Sequence, residues 1–411
     1  MKAERKRNKL TIFLTGRIDS SNAAQVEQEL MSHLAEHPDE SLVLDAEGLD
    51  YISSAGLRVL MKLRKGTAAE LPIVNVSPEV YEILDVTGFV DLFDVQKRLR
   101  EVSVDGLPFI GAGANGKVYQ LDAERIIKVY NPITNSPEKI MGEKQAARQA
   151  FIHDIPYAIS FDVVRVGDSL GIIYEMIDAK TLGVTIRENP EKLEESARRM
   201  GRLLKQLHTT TFEPGTLPDA RNNLHVWADV AEQSGYYQPE TITNLRALID
   251  SIPERNTFVH GDFHPANIMV SGEEWLLIDM GDASVGHPVI DLLGAFQLMK
   301  LAAARGDGAM RYTGIPADLL TRVWDSFIRA YLGTKDAQVI ENVENVLKYY
   351  ALIRSLPGVT FSELIPAEAR GPMTQQIQSF FLRAYDRFGG SPEILNTVFE
   401  AVEPGNKEEK A

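Results

Sequence analysis

One short stretch in the second half of the chain constrains the fold more than any other. It reads His-Gly-Asp-Phe-His-Pro-Ala-Asn over residues 260–267, and an apolar run that follows it ends at Asp279. An amide and two carboxylates in this order can orient a hydroxyl group and hold Mg²⁺ on phosphate oxygens, which phosphoryl transfer from a nucleotide requires. The rest of the chain should therefore build a nucleotide-binding surface around this stretch.

The polar residues of this stretch can be given roles by their spacing. Asp262 is predicted to take or orient the proton of the acceptor hydroxyl, and Asn267 and Asp279 are predicted to bind Mg²⁺, because the Asp-to-Asn spacing is that of a kinase catalytic loop. His260 is expected to anchor the loop. His264 either contacts the substrate or hydrogen-bonds within the loop, and the two interpretations have equal weight.

Two acidic residues follow the apolar run. Asp282 either supports the site or is a surface charge. Asp291 is expected to anchor the backbone of the loop rather than to take part in the chemistry. Only eleven residues separate Asp279 from Asp291, and so short a segment favours a small-molecule acceptor over a protein.

A glycine pattern upstream predicts the phosphate-binding element. Gly111, Gly113 and Gly116 form G-x-G-x-x-G, which alone is weak evidence because dinucleotide-binding folds carry it too. In those folds the glycines open a helix, whereas here an alternating strand pattern follows at 117–121 and a second one at 125–130. The pattern therefore favours a β-hairpin over ATP phosphates, with Lys128 as the phosphate-binding lysine of the next strand.

Two further groups complete this nucleotide site. Glu143, in the middle of the helix predicted after Pro137, is the preferred partner of Lys128, and Glu138 is the alternative. The hairpin predicted over 159–176 leads into Glu175-Met176-Ile177, where the backbone of Glu175 and Ile177 is expected to pair with adenine.

The first hundred residues alternate between strand and helix patterns, which predicts a small α/β domain over residues 1–100. In chain order we predict a strand at 9–15, a helix through 26–34, a strand at 41–45, a helix through 57–63, a strand at 71–76 and a helix at 78–88, with 90–95 as a candidate for a last strand.

This order of elements, together with Leu-Asp-Tyr-Ile-Ser-Ser-Ala-Gly-Leu at residues 49–57, resembles the STAS domain of anti-sigma factor antagonists. In that family the loop usually reads Asp-Ser-Ser/Thr-Gly, and a partner kinase phosphorylates the first serine after the aspartate. The matching position here is Ser54, while Ser53 replaces the aspartate and Ala55 replaces the second hydroxyl residue. The resemblance implies a regulatory or partner-docking module with Ser54 as a candidate phosphosite. Either serine could instead simply cap the helix.

The stretch at 260–267, with Ile-Asp-Met-Gly-Asp at 278–282, resembles the aminoglycoside phosphotransferase and choline kinase family over about residues 107–390. The resemblance implies an α+β, two-lobed, protein-kinase-like fold with a β-rich N-lobe at 107–180, a helical C-lobe at 181–400 and ATP between them. Residues 401–411 are expected to form a charged tail. The family does not define the acceptor, since members act on antibiotics, choline, amino-alcohols, sugars and occasionally proteins.

Composition excludes several other classes. The net charge of −15 argues against a nucleic-acid partner, and the absence of cysteine excludes thiol nucleophiles and zinc–thiolate sites. No apolar run approaches the 18 residues of a membrane span. A cytoplasmic protein without a membrane partner is expected.

Three functions remain in view. The preferred one is an ATP-dependent phosphotransferase whose hydroxyl acceptor is a small molecule, because the segment after Asp279 is short and lacks the Ala-Pro-Glu that ends the peptide platform of protein kinases. The first alternative is a protein serine kinase that acts on Ser54, in cis or in trans, within an anti-sigma-type partner switch. The second is a catalytically inactive kinase–STAS scaffold.

Overall fold

The computed structural model describes residues 1–6, 9–37, 40–66, 71–113, 115–361, 365–390 and 395. These residues form two compact units. One is Met1–Ser103 with Val164–Gly167, and the other is Val104–Val163 with the residues from Asp168 onward. The tail predicted at 401–411 lies outside the described residues. Within the described part of the chain, no helix combines the length and the apolar character that a membrane span needs.

The first unit is an α/β domain on one sheet with the strand order β1-β2-β3-β4-β5. Strand β1 runs antiparallel to β2, and the other neighbouring pairs are parallel. Its elements are β1 (Lys2–Lys6), β2 (Lys9–Ile18), α1 (Ala23–Glu36), β3 (Ser41–Ile52), α2 (Ser54–Gly66), β4 (Ile73–Val76), α3 (Pro78–Val86), β5 (Val95–Lys97) and the two-residue strand β6 (Arg100–Glu101).

Residue periodicity explains the core of this unit. Buried side chains alternate along β2 and recur at helical spacing along α2, so each element presents one apolar face to a shared core. Gly56 lies where the two elements meet, and a Cβ at this position would come within 2.8 Å of the Ile18 side chain. A larger residue would therefore push α2 away from the sheet.

Two sequence predictions for this unit need correction. Strand β3 extends through Ile52 rather than ending at Asp45, because parallel pairing with β2 continues as far as Ile18. The candidate strand at 90–95 is wrong. Phe89–Asp91 is a 3₁₀ turn, and Phe89 stacks on Phe93 with ring centroids 5.5 Å apart, a contact between residues four apart that a helical turn allows and a strand does not.

The second unit begins with an antiparallel sheet in which the neighbours run β10-β11-β9-β8-β7. One helix is inserted between β9 and β10 and packs against β11. The elements are β7 (Phe109–Gly113), β8 (Gly116–Gln120), β9 (Arg125–Tyr130), α4 (Pro137–Ile152), β10 (Ser160–Val166) and β11 (Ser169–Glu175). This region has the hairpins and the helix that the sequence predicts.

The remainder of the unit is mainly helical, with short hairpins that carry loops. Its strands are β12 (Lys180–Thr181), β13 (Phe258–Val259), β14 (Ile268–Ser271), β15 (Glu274–Leu277) and β16 (Ser284–Val285). Its α-helices are α5 (Leu182–Glu188), α6 (Leu193–Leu207), α7 (Ala220–Gln233), α8 (Pro239–Asp250), α9 (Val289–Phe296), α10 (Met310–Thr313), α11 (Ala317–Leu332), α12 (Ala337–Tyr350), α13 (Leu352–Phe361) and α14 (Ala367–Phe388).

The core of this helical region forms around the packing of α6 on α11. Gly201 on α6 lies against the backbone of Phe327, so the two helices approach closely there. Trp324 and Phe327 on α11 are fully buried beside them. Helices α12 and α13 follow each other directly, with a break at Ala351. This break places the first turn of α13 next to α7, which matters for the site below.

Candidate active site

Three separate elements bring a lysine and two carboxylates together. Lys128 Nζ on β9 donates to Glu143 Oε1 on α4 at 3.0 Å and to Asp279 Oδ1 at 2.9 Å. Glu138, the alternative partner, is exposed in the first turn of α4. Burial by itself would lower the pKa of Lys128, but the charges of Asp279 and Glu143 outweigh it and hold this pKa above its ordinary value. The lysine is therefore cationic at neutral pH, as a phosphate ligand must be.

A group of buried tyrosines, which was not predicted from the sequence, supports Glu143. Tyr174 Oη donates to Glu143 Oε1 at 2.7 Å and lies 3.3 Å from Tyr130 Oη. Burial is the main cause that raises the pKa of Tyr130, Tyr157 and Tyr174. The hydroxyls therefore stay protonated and can donate. Tyrosine at alternate positions of predicted strands was the available signal, but strand propensity explains such residues equally well.

A tight hairpin positions the two predicted Mg²⁺ ligands. Strands β14 and β15 pair from Ser271 and Glu274 back to Ile268 and Leu277, and the Ile278 N–H then donates to the Asn267 carbonyl at 3.0 Å. Asn267 and Asp279 therefore flank the open end of the same hairpin. Asp279 has φ +65°, a left-handed conformation that is uncommon for a residue other than glycine.

Asp262 is held by its own loop while part of its carboxylate stays accessible. Asn267 Nδ2 donates to the Asp262 carbonyl at 2.9 Å and to Oδ2 at 3.2 Å. The Asp262 side chain is 41% exposed. Burial would raise its pKa, but the hydrogen bond and charge of His264, with smaller effects of Arg354 and His260, hold the pKa well below its ordinary value. Asp262 is thus ionised at neutral pH and suited to accept a hydrogen bond from a hydroxyl group.

The donor set at the hairpin fits Mg²⁺. Both bonds of Asn267 described above use its amide nitrogen, so its amide oxygen can face a metal together with the Asp279 carboxylate. Within the described residues, no group of three or more His, Cys, Asp or Glu side chains is arranged to hold a metal ion. One carboxylate and one amide oxygen, completed by phosphate oxygens and water, are what Mg²⁺ commonly uses in nucleotide sites.

The loop at 260–267, called the Asp262 loop below, is anchored by Asp291 as predicted. The Asp291 carboxylate accepts from the His260 N–H at 2.9 Å and from the Gly261 N–H at 2.7 Å. His208 Nε2 lies 3.1 Å from the same carboxylate and its other ring nitrogen lies 2.8 Å from Tyr331 Oη. Asp291 is 1% exposed. This buried carboxylate therefore sets the position of the loop by satisfying two of its backbone donors.

The two histidines of the Asp262 loop make contacts within it. His260 is fully buried, and its Nδ1 accepts from the Asp262 N–H at 3.3 Å. His264 Nδ1 accepts from the Ala266 N–H at 3.2 Å, and its Nε2 lies 3.4 Å from Asp262 Oδ2. His264 therefore hydrogen-bonds within the loop and also touches the carboxylate proposed to orient the acceptor.

The three glycines of the predicted phosphate hairpin have different surroundings. Gly113 pairs with Gly116 at the turn between β7 and β8. A side chain on Gly116 would collide with the Val129 carbonyl, so this glycine allows β8 to pack on β9. Gly111 and Gly113 have no atom within 4 Å of where a Cβ would stand. Their surface is open, which is compatible with close approach of a ligand to the backbone.

The predicted adenine-binding segment follows β11 directly. The Met176 N–H donates to the Glu124 carbonyl at 2.7 Å, and the Ile177 carbonyl accepts from the Ala179 N–H at 2.9 Å. Glu175 Oε1 accepts from the Ile159 N–H at 2.6 Å. The Ile177 N–H has no acceptor among the described residues, so it is a group that a purine ring could use.

A cavity lies beside the Asp262 loop. It is called the Arg354 cavity below and is lined by Ala220, Asn223, Leu224, Trp227, Gly261, Asp282, Ser284, Ile290 and Arg354. Gly261 has φ +84°, and a Cβ there would stand 2.5 Å from the Asp282 carbonyl, so the loop requires glycine at this position. Burial raises the pKa of Asp282, which is part of this lining rather than an isolated surface charge.

Trp227 differs from the other two tryptophans of the chain. Trp275 and Trp324 are buried. Trp227 on α7 is only partly buried and lines the Arg354 cavity, where its ring packs on Phe361 with centroids 5.4 Å apart. Its helix was not predicted from the sequence, so its role could not be.

Ser54 lies in the first unit at the start of α2. It is exposed, whereas the neighbouring Ser53 Oγ accepts from the Ala55 N–H at 3.2 Å. The two serines that the sequence left interchangeable are therefore distinguished: Ser53 caps the helix, and the Ser54 hydroxyl is open to solvent.

Comparison with known proteins follows the same division of the chain. The family model of the STAS domain matches residues 1–102, and that of the phosphotransferase enzyme family matches residues 106–327. BtrV of Bordetella bronchiseptica, named an anti-sigma factor antagonist, is 39% identical over 89 residues, which are 21% of this chain and 76% of that protein. An anti-sigma F factor antagonist of Paenibacillus polymyxa is 25% identical over 95 residues, which are 22% of this chain and 81% of that protein.

Solved structures similar to this chain carry phosphotransferase and kinase names. An ADP-bound aminoglycoside phosphotransferase shares 16% identity and a TM-score of 0.44, over 77% of this chain and 98% of its own. A choline/ethanolamine kinase family protein from Mesorhizobium loti shares 14% identity and a TM-score of 0.42, over 71% of this chain and 92% of its own. The family models cover almost all of residues 1–327. This chain therefore belongs to the phosphotransferase enzyme family and carries an N-terminal STAS domain.

Proposed function

We propose that the chain is an ATP-dependent phosphotransferase that moves the γ-phosphoryl group of ATP to the hydroxyl group of a small molecule. The observation that carries the proposal is the convergence of Lys128, Glu143 and Asp279 through direct hydrogen bonds, next to a hairpin that also carries Asn267. This set supplies a cation for phosphate oxygens and oxygen ligands for Mg²⁺.

Each group has a task in the transfer. The acceptor oxygen attacks the γ-phosphorus, a new O–P bond forms, and the bond from the γ-phosphorus to the bridging oxygen breaks. The products are ADP and a phosphoester, and the hydroxyl proton passes to the Asp262 carboxylate or to solvent. Because the pKa of Asp262 is low, its main contribution is to orient the hydroxyl rather than to act as a strong base. Mg²⁺, when bound by Asn267 and Asp279, would neutralise phosphate charge.

The nucleotide half of the proposal extends to the glycine hairpin and the segment after β11. Gly111, Gly113 and Gly116 would place backbone N–H groups near phosphate oxygens, and the Glu175 carbonyl with the Ile177 N–H would pair with adenine. The open surface at Gly111 and Gly113 and the uncommitted Ile177 N–H support these assignments.

The segment after Asp279 supports a small acceptor. Residues 280–290 contain only a turn, the two-residue strand β16 and the first residues of α9. A peptide acceptor would need a longer platform here. The STAS domain would then regulate the enzyme or dock it to a partner.

A turnover assay on the full chain tests this function. ADP release with Mg·ATP should rise with a hydroxyl acceptor, and Asp262→Asn should reduce turnover by about 10²–10⁴-fold while nucleotide binding is kept. Equal turnover in wild type and Asp262→Asn would contradict the assigned role and favour a scaffold without catalysis.

A second candidate function makes the acceptor a protein serine. The exposed Ser54 hydroxyl at the first residue of α2 favours it, because a phosphate at a helix N-terminus is stabilised by backbone N–H groups and the helix dipole. Mass-spectrometric mapping after incubation with Mg·ATP should then find phosphate on Ser54 in the wild type and in neither Asp262→Asn nor Ser54→Ala. An absence of phosphate at residues 53–54 in the wild type would rule this candidate out.

A further inference from the structure

The Arg354 cavity contains a positive charge without a paired negative charge. Arg354 is in the first turn of α13, and its guanidinium carbon lies 5.4 Å from the centre of the Trp227 ring. The end of the side chain is in close contact with Gly294, where a Cβ would collide with it. Aromatic packing on one side and a glycine on another hold the guanidinium in place before any ligand arrives.

No acceptor within the described residues takes a hydrogen bond from the Arg354 guanidinium. Asp282 is the acidic residue of the cavity lining, and the two side chains do not form an ion pair. Arginine carries five N–H donors in a planar fork that matches carboxylate and phosphate groups. A half-buried guanidinium in this state is a binding group for an anion from outside the chain.

The position of the cavity connects this charge to the proposed reaction. Gly261, the neighbour of Asp262, is part of the cavity lining. Two other lining residues are linked, since Asn223 Nδ2 donates to the Asp282 carbonyl at 3.3 Å. Burial raises the pKa of Asp282, and the charge of Arg354 opposes this rise. The same charge adds to the larger effect of His264 that lowers the pKa of Asp262. An acceptor whose anionic group enters this cavity therefore lies next to the Asp262 loop.

We propose that the acceptor is an anion, a small molecule that carries the reacting hydroxyl together with a carboxylate or phosphate group, and that Arg354 binds this anionic group. The inference rests on the phosphotransferase function proposed above and names its substrate class. A cationic acceptor such as an aminoglycoside or choline would place like charge beside the guanidinium. Arg354 binds and orients the acceptor, and the bonds formed and broken in the phosphoryl transfer are those given for the proposed function.

Calorimetric titration of the full chain, in the presence of ADP and Mg²⁺, tests the inference with three probes. Glycerate carries a carboxylate, glycerol 3-phosphate carries a phosphate, and choline is the cationic comparison. We expect one of the two anionic probes to bind and choline not to bind. Arg354→Met should weaken anion binding by about 10–100-fold, in the range of lost charge-assisted hydrogen bonds. Arg354→Lys should weaken anion binding less than Arg354→Met does, because lysine keeps the positive charge but lacks the planar fork of N–H donors.

The matched control is Arg383→Met on α14, an exposed arginine outside the cavity lining, which should leave anion binding unchanged. Thermal unfolding of each variant shows whether the fold is kept, and Arg354→Lys carries the test if Arg354→Met does not fold. The inference is overturned if choline binds more tightly than both anions, if neither anion binds, or if anion binding is equal in wild type and Arg354→Met.

The same proteins and probes, incubated with Mg·ATP in place of Mg·ADP, separate this inference from the proposed function. If choline is phosphorylated and the anions are not, the phosphotransferase stands and the anion inference fails. If the anions bind through Arg354 but never become phosphoesters, the anion site stands and the phosphotransferase proposal fails.

Discussion

The region around Lys128 and the Arg354 cavity, both in the second unit, differ in whether the positive charge is paired within the chain. Around Lys128, the cation contacts two carboxylates, and Tyr174 satisfies one of them further. In the Arg354 cavity, the guanidinium has an aromatic neighbour but no acceptor among the described residues. A deeply buried charge without a partner is strongly unfavourable, whereas a half-buried one can stay solvated until a ligand arrives. In the function that we propose, the nucleotide half is thus complete within the chain, and the acceptor half is left for the substrate to complete.

The largest effect is expected at Asp291, the buried carboxylate that anchors the Asp262 loop. Asp291→Ala would leave the His260 and Gly261 N–H groups and the His208 ring without their acceptor. We expect a loss of about 3–5 kcal/mol in unfolding free energy, because three buried polar groups lose the carboxylate they contact and each unsatisfied group costs about 1–3 kcal/mol. Chemical denaturation measures it. The control Asp325→Ala removes an exposed carboxylate that pairs with Lys300 and should cost less than about 1 kcal/mol. Equal losses in the two variants would contradict the anchoring role.

The independence of the Lys128 region and the Arg354 cavity can be tested by measuring nucleotide binding in one variant of each. Lys128→Met should weaken the binding of Mg·ADP by about 100-fold, close to 2.8 kcal/mol, and leave Glu143 and Asp279 facing each other without a cation. Arg354→Met should leave Mg·ADP binding unchanged. Titration of both variants with Mg·ADP decides the matter, and similar losses in both would show that the two regions are not separate.

A pH effect is expected at His287, which lies between β16 and α9. Burial, with smaller effects of Arg255 and His208, lowers the pKa of His287 to about 3. The unfolded chain binds a proton near pH 6.5 and the folded chain does not, so stability is full above pH 6.5 and falls as the pH drops towards 3. Between pH 7 and pH 5 this group should cost about 2 kcal/mol of unfolding free energy. His287→Asn should show a shallower pH dependence over this interval, and an unchanged slope would count against the assignment.

The smallest effect is expected behind the Lys128–Glu143 pair. Tyr174→Phe removes the hydroxyl that donates to Glu143 Oε1 and keeps the ring in the core. We expect a loss of about 1–2 kcal/mol in stability and a weaker affinity for Mg·ADP, since one hydrogen bond to a charged group is lost. Tyr157→Phe is the matched control, because its ring packs at the Tyr174 ring with centroids 6.4 Å apart. An equal or larger loss of nucleotide affinity in Tyr157→Phe would show that the hydrogen bond from Tyr174 to Glu143 is not the cause of the effect.

Short-range patterns carried most of what could be predicted. The spacing from Asp262 to Asn267, the glycine turn and the strand that holds Lys128 lie within single local elements, so residue order alone indicates their chemistry. The choice of Glu143 over Glu138 also follows from local structure, because a residue in mid-helix can face the sheet while one in the first turn of α4 is exposed. Predictions failed where the local pattern was ambiguous, as at 90–95, where two phenylalanines four apart suit a helical turn as well as a strand.

By itself the sequence determined that the chain has a STAS-like α/β part and a phosphotransferase part, and it indicated the polar residues that we propose for nucleotide binding. Only the tertiary structure decided that His208 contacts the Asp291 carboxylate, that Tyr174 supports Glu143, and that Arg354 and Trp227 share a cavity with Gly261. The physical reason is separation along the chain. These residues meet because helices and strands pack, and packing depends on the whole core rather than on any local spacing. An unpaired guanidinium, in particular, can be recognised only once all of its neighbours are known.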